Sequence, residues 1–352
     1  MKVLYHFPYL LNKENIVNML ENLVYESLCI AIEAGKIIMK FHGDTTHIQK
    51  ADKSPLTQAD LESNAYITQH LQAISPYNVC SEEAVLEYNE RKDLEYFWLI
   101  DPLDGTKDFI SGNGNFTINI ALLHKNEVAL GVVYAPCLYE AYIGLKGFGS
   151  FSYNIYDFKN FVYMNLEKKS RIEWLKTHKI LLAKEYVKKI YGDNLEFLSG
   201  VDSHIKQEIL KNIDEYIESS YASKSAESFE KIDSIPLANQ KRLIACDSIH
   251  HSTKATEEFL QRYNTLVLKR GSSLKICALA SGIADIYPRM NGTSEWDTAA
   301  SEIILLESGG ITLDLRTKKP LCYNKENIRN NHFVAFAKSH KNGDIYRDII
   351  ES

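Results

Sequence analysis

The 352-residue sequence predicts a mixed α/β fold. Three observations predict it: apolar residues at helical spacing near the start, a middle run of short apolar segments joined by tight turns, and a late stretch where helix-like and strand-like segments alternate. From about residue 14 to residue 42, Ile16, Leu20, Leu23, Val24, Leu28, Ala31, Ile38 and Phe41 recur at helical spacing, and Gly43 stands where a C-cap glycine belongs. A polar stretch with Lys50 and Lys53 leads to Ser54-Pro55-Leu56-Thr57, a loop in which Thr57 caps a second helix carrying Asp60, Leu61, Ala65, Ile67 and Leu71. Tyr96-Phe97-Trp98-Leu99-Ile100 then reads as a short buried strand running straight into Asp101. Residues 116–123, 128–135 and 140–145 follow as strands, with His124-Lys125-Asn126 and Pro136 in the turns, and connections this short imply an antiparallel sheet. Gly144, Gly147 and Gly149 close that region.

Residues 165–240 break the pattern, being rich in Lys, Glu and Ser, with a linker-like run from Glu218 to Ser225 and a helical patch at 205–217. Apolar order resumes at Leu243. A strand is expected at 265–268, a helix at 273–281, a strand at 284–287, and a helix at 297–308 that stops at Gly309-Gly310. The length allows two lobes or one large domain, and a two-lobe division would set residues 1–157 as an α+β lobe with the metal site and residues 158–352 as an α/β lobe with the substrate-specificity elements, including the polar helical insert at about 165–240.

A hydrophobic fraction of 45% and a charged fraction of 24% belong to an ordinary globular chain. The net charge of −6, with Lys and Arg dispersed, argues against a nucleic-acid polymer as partner. A small phosphorylated ligand stays possible, because bound divalent cations can supply positive charge. Cys29, Cys80, Cys137, Cys246, Cys277 and Cys322 are widely spaced with no CxxC pair and read as free thiols of a reducing compartment. His6 and Pro8 interrupt the short apolar start, no small-residue cleavage site follows, and no apolar stretch approaches a membrane span of ~20 residues. The expectation is a cytoplasmic protein without a membrane partner, monomeric or homodimeric.

Chemistry is concentrated in Trp98-Leu99-Ile100-Asp101-Pro102-Leu103-Asp104-Gly105-Thr106. A strand ending in Asp-Pro-x-Asp-Gly-Thr places two carboxylates at a sheet edge. Pro102 fixes its own φ and holds Asp101 extended. Gly105 lets the backbone approach a ligand, and Thr106 opens a helix whose free N–H groups suit a phosphate. Oxygen ligands beside a phosphate site are what Mg2+ prefers. Taken alone the segment could be a turn with two solvated acids. Ser81-Glu82-Glu83 upstream and Trp296-Asp297 at the head of a late helix reduce that alternative, although Asp297 by itself would be an ordinary helix cap.

These motifs, together with Thr298-Ala299-Ala300 and Glu307-Ser308-Gly309-Gly310, resemble the inositol monophosphatase superfamily. Within it, the runs Lys50 to Asp60, Asp104 to Ile110 and Asn113 to Leu122, with Gly271-Ser272-Ser273-Leu274-Lys275 and Tyr287-Pro288-Arg289, look like the CysQ-type 3'(2'),5'-bisphosphate nucleotidases. The resemblance implies a layered αβαβα sandwich and a phosphomonoesterase assisted by two or three Mg2+ ions. It implies Glu82, Asp101, Asp104, Asp297 and the Leu103 carbonyl as metal ligands. Asp60 and Thr106 would orient and deprotonate the attacking water. Gly105 and Thr106 would meet the substrate, and Ser272, Lys275 and Arg289 would hold the nucleotide and its second phosphate. Inhibition by Li+ is implied too. Ser81 stands where the superfamily often has glycine. The implied reaction converts 3'-phosphoadenosine 5'-phosphate to AMP and phosphate. The alternatives are an inositol or sugar monophosphatase, and a catalytically silent protein that binds a partner through the 165–240 insert.

Other features are read blandly. Adjacent His250 and His251 on a strand would point to opposite faces, and no third ligand lies at metal spacing, so a surface or substrate-pocket role is expected of them rather than a metal site. Ser111-Gly112-Asn113-Gly114 matches neither a dinucleotide fingerprint nor a P-loop. Lys53 reads as a solvated lysine.

Overall fold

The computed structural model describes residues 13–43, 46–50, 55–154, 157–164 and 242–351. Lys53, the first residues of the chain and the 165–240 stretch lie outside the described residues.

Helix α1 (Lys13–Lys40) leads to a small antiparallel pair, β1 (Ile48–Gln49) and β2 (Pro55–Leu56), and then to α2 (Gln58–Ile74). Thr57 caps α2 as expected, and Asp60 closes the reciprocal half of the capping box. A seven-stranded sheet follows in the spatial order of the chain: β3 (Asn78–Ser81), β4 (Tyr96–Asp104), β5 (Thr117–His124), β6 (Glu127–Ala135), β7 (Glu140–Leu145), β8 (Gly149–Asn154) and β9 (Asp157–Met164). Only β3–β4 is parallel, and the remaining pairs are antiparallel. Short helices α3 (Tyr88–Arg91) and α4 (Thr106–Ser111) flank β4.

The later residues build β10 (Ile244–Ser248), α5 (Lys254–Arg262), β11 (Leu266–Arg270), α6 (Leu274–Ala280), β12 (Ile286–Arg289), α7 (Ala299–Glu307), β13 (Ile311–Asp314), β14 (Phe333–Phe336) and α8 (Asp344–Glu351). Their five strands pair in the order β11-β10-β12-β14-β13.

Packing stacks these elements in five layers. Leu23, Val24, Leu28 and Ile38 of α1, with Ile67 and Leu71 of α2, cover Trp98, Ile100, Ile120 and Val132 on one face of the large sheet. Phe97, Leu99, Ala121 and Val133 on its other face meet Leu274 and Cys277 of α6 and Ile303 and Ile304 of α7. That helical layer also packs on Phe333 and Ala335 of the small sheet. Leu260 of α5 and Ile345 and Ile349 of α8 close the far side over Ala245, Ile286, Val334 and Phe336. Strand β4 is covered on both faces, which is why its sequence is a near-continuous apolar run. Helix α7 lies on bare backbone: a Cβ at Gly131 would fall 2.4 Å from the Ala300 carbonyl oxygen, and one at Gly144 would fall 2.8 Å from the Ile304 nitrogen.

Several expected boundaries move. The last turn of α1 tightens into i→i−3 bonds at Phe41 and His42, so the helix ends at Lys40. Gly147 and Gly149, read as the close of the sheet, instead form the β7–β8 turn at positive φ, and the sheet continues. The Glu307 carboxylate accepts from both of their N–H groups at 2.9 Å. All six cysteines are free thiols. Among the described residues no helix is long and apolar enough to cross a membrane.

Candidate active site

The parallel register of β3 and β4 sets Ser81 opposite Ile100, and the Glu82 N–H donates to the Ile100 carbonyl at 3.1 Å. Glu82 therefore emerges beside Asp101. Pro102 cannot donate to the ladder, and β4 bulges between Asp101 and Asp104. Ser63 Oγ holds the Pro102 carbonyl at 2.8 Å, and the Leu103 N–H donates to Asp101 Oδ1 at 3.0 Å. Gly105, at φ +92°, turns the chain into α4 through a conformation that strains any residue with a Cβ. The fourth acid arrives from the turn between β12 and α7. Asp297 precedes α7 by one residue, Thr298 being the cap, because its Oδ2 accepts the Ser294 N–H at 2.7 Å in a tight turn.

Carboxylate oxygens of Glu82, Asp101 and Asp297 lie within 4.8 Å of one another. Burial, followed by the charges of Glu82, Asp104 and Asp297, pushes Asp101 well above the usual carboxylate range. Burial and the charges of Asp104 and Glu82 push Asp297 up to about 8. Such repulsion is relieved by a cation, and an all-oxygen donor set favours Mg2+ over softer metals. The chain's own lysine already shows that attraction: Lys50 Nζ sits 2.8 Å from Glu82 Oε1 and 2.7 Å from Glu83 Oε1. Burial works to lower the Lys50 pKa, but the two carboxylates outweigh it and hold it above its ordinary value. The residues present fit a divalent cation.

Asp104 stands slightly apart from the trio. Its Oδ2 accepts from Ser272 Oγ at 2.5 Å, the Ser273 N–H at 3.0 Å and Asn119 Nδ2 at 3.2 Å. Behind the acids, Asp60 Oδ2 accepts from the Thr57 N–H at 2.7 Å and Thr57 Oγ1 at 2.5 Å, while Thr106 Oγ1 lies 3.2 Å from Asp60 Oδ1. Burial raises Asp60 above the usual range, against the Thr57 hydrogen bonds.

The acids line a cavity of about 300 Å3. Cations line the same cavity. Lys275 is fully enclosed, with Nζ 2.6 Å from the Ser272 carbonyl and 5.4 Å from the Tyr287 ring centre. Burial and the Arg289 guanidinium lower its pKa to about 8. Arg289 Nε is buried with no hydrogen-bond partner among the described residues. His251 also lines the cavity, and burial plus Lys107, Arg289 and Lys275 pull its pKa down to about 4, leaving it neutral.

Of the residues singled out from sequence, Glu82, Asp101, Leu103, Asp104, Gly105, Thr106, Ser272, Lys275, Arg289 and Asp297 all border this cavity, and Asp60 lies behind Thr106. Sequence reasoning missed Lys50, Lys107 and Ser273 as members of the site, whereas the surface or substrate-pocket role expected of the His250-His251 pair agrees with His251 lining the cavity. His250 and His251 occupy a bend after β10, where His250 Nε2 turns to Asp108 Oδ1 at 3.3 Å and His251 turns into the cavity.

A model of the inositol monophosphatase family matches residues 19–193 and 218–348. The 3'(2'),5'-bisphosphate nucleotidase CysQ of Haemophilus influenzae is 30% identical over 318 residues, covering 89% of this chain and 92% of that protein. The crystal structure of CysQ from Bacteroides thetaiotaomicron, a bacterial member of the inositol monophosphatase family, superposes with a TM-score of 0.61 at 30% identity, over 92% of this chain and 99% of that one. The Thermotoga maritima IMPase shares the fold, with a TM-score of 0.60 at 20% identity over 92% and 95% of the two chains. A five-layer sandwich with an oxygen-rich cluster between its sheets, matched along most of its length, places this chain in the inositol monophosphatase family.

Proposed function

We propose that the protein is a Mg2+-dependent phosphomonoesterase that hydrolyses 3'-phosphoadenosine 5'-phosphate, a 3'(2'),5'-bisphosphate nucleotide, to AMP and phosphate. The observation that carries this reading is a single cavity lined both by the four carboxylates and by Lys275, Arg289 and Lys107. A substrate with two phosphates needs a second set of charged donors away from the metals, and a simple monophosphate does not. Relatives at 28–30% identity named as 3'(2'),5'-bisphosphate nucleotidases point the same way.

In this reading Glu82, Asp101, Asp104, Asp297 and the Leu103 carbonyl hold two or three Mg2+ ions. Bound Mg2+ polarises phosphoryl oxygens, acidifies water and neutralises charge on the leaving oxygen. The chain's own groups do the rest. Thr106 Oγ1 donates to Asp60 Oδ1 and so turns a lone pair toward an attacking water. A proton passes from that water to Thr106 Oγ1 and on to Asp60 Oδ1, whose basicity burial has raised. Gly105 and Thr106 face the phosphate that is cleaved. Ser272, Lys275 and Arg289 hold the one that is not, and the unpaired Arg289 N–H supports that role.

The same proposal includes a lobe of residues 1–157 with the metal site, a lobe of residues 158–352 with the substrate-specificity elements, a cytoplasmic location, and a monomer or homodimer. It also includes inhibition by Li+; full activity in high-millimolar Li+ would count against it. A phosphate-release panel with 3'-phosphoadenosine 5'-phosphate, inositol 1-phosphate and fructose 1,6-bisphosphate tests the substrate. The nucleotide should give the highest kcat/KM, and a preference for inositol 1-phosphate would overturn the nucleotidase reading.

A further inference from the structure

The acid cluster is assembled from the ends of β3 and β4 and from the turn that leads into α7, and something must hold these parts at a fixed spacing. Ser273 is placed to do this. Its backbone N–H donates to Asp104 Oδ2 at 3.0 Å, and its hydroxyl donates to the Asp297 backbone carbonyl at 2.8 Å. One residue therefore holds an acid from the end of β4 and the backbone of an acid at the head of α7. The segment is clamped on both sides of that contact. Ser272 sits at φ +51°, and a Cβ at Gly271 would fall 2.3 Å from the Asn115 carbonyl oxygen, so the chain there follows the first lobe closely. Ser273 is 3% exposed, which leaves its hydroxyl no role in solvent. With Oδ2 taken by Ser272, Ser273 and Asn119, Asp104 is left with Oδ1 for any further ligand.

We propose that Ser273 is a positioning residue that fixes the spacing of Asp297 against Asp104, and that it thereby sets the Mg2+ affinity of the cluster. The inference rests on the metal reading above but is independent of which phosphate ester is cleaved. Outer hydrogen bonds of this kind orient ligands, and their loss weakens metal binding by about 10- to 100-fold.

The test is calorimetric titration of Mg2+ into substrate-free wild-type, Ser273→Ala and Ser273→Thr proteins, with melting in EDTA as the control for folding. Ser273→Ala should bind Mg2+ about tenfold more weakly or worse, while Ser273→Thr, which keeps the hydroxyl, should recover most of the affinity. Should Ser273→Ala not fold, the threonine variant together with Ser273→Cys, which keeps only a weak donor, forms a graded series in which affinity must follow donor strength. Wild-type Mg2+ affinity in folded Ser273→Ala overturns the proposal, as does a series that ignores donor strength. Wild-type protein that takes up no Mg2+ overturns this proposal together with the metal reading. Normal Mg2+ uptake without phosphate release from the nucleotide overturns the substrate reading alone.

Discussion

Lys275 keeps its amino group among the Ser272 carbonyl, Tyr287 and Arg289, and burial is the main reason its pKa falls to about 8. Below that pH the group is charged and attracts an anion, and as the pH climbs through 8 it loses the proton and the attraction. The KM for 3'-phosphoadenosine 5'-phosphate should therefore rise between pH 7 and pH 9, while that for inositol 1-phosphate should not. Lys275→Ala should abolish this slope and lower kcat/KM on the nucleotide. A charge-assisted bond is worth about 1.5–3 kcal/mol, or roughly 10- to 150-fold; equal losses on both substrates would mean that Lys275 serves the fold. Among the acids, Asp104→Asn keeps the shape but removes a charge. It should weaken Mg2+ binding by about tenfold or more with an unchanged circular-dichroism spectrum, and wild-type turnover at limiting Mg2+ would refute Asp104 as a ligand. The acids were legible because Asp101 and Asp104 share one local motif whose geometry Pro102 and Gly105 restrict. Ser273 was not, since its bond to Asp104 joins positions 169 apart. Lys50 was likewise hidden, because only the folded β1–β2 pair brings it to Glu82, 32 positions away.

Among the elements, α7 carries an unusual load. Glu302 is buried in it facing Thr312 of β13, and neither carboxyl oxygen finds a hydrogen-bond partner among the described residues. Burial pushes its pKa up to about 8, with the Thr312 hydroxyl offsetting part of that. The folded chain thus keeps a proton that the unfolded chain releases above about pH 4.5. Stability contributed by that proton is complete below this pH and is lost as the pH rises through 8, at on the order of 1.4 kcal/mol per pH unit. Glu302→Gln should flatten the dependence, so that its urea midpoint exceeds the wild-type value at pH 8.5 and approaches it near pH 5. Parallel midpoints at both pH values would show that Glu302 is already paired. The strands of the large sheet were readable where apolar runs met clear turns, as in Glu140–Leu145. Strands β13 and β14 were not, being four residues long and flanked by irregular chain.

At the scale of the whole molecule, the family match leaves residues 194–217 between its two spans. Loop closure depends only weakly on length, so replacing 194–217 with a short Gly/Ser linker should preserve phosphate release. Loss of activity with an intact circular-dichroism spectrum would instead assign that segment to the site or to a contact between subunits. The order of the layers was not legible from local pattern, because it depends on which sheet each helix reaches, and only the family resemblance implied it. The bare backbone beneath α7 bears on how such a chain can change over time. Gly131 and Gly144 present no side chain, so at these two points the helix rests directly on strand backbone, whatever apolar residues surround it. Asp297 inherits its offset from Glu82 and Asp101 through that seat. A lineage could rewrite most of the surrounding interior and still keep the acids in register, provided that those two positions in the sheet stay glycine.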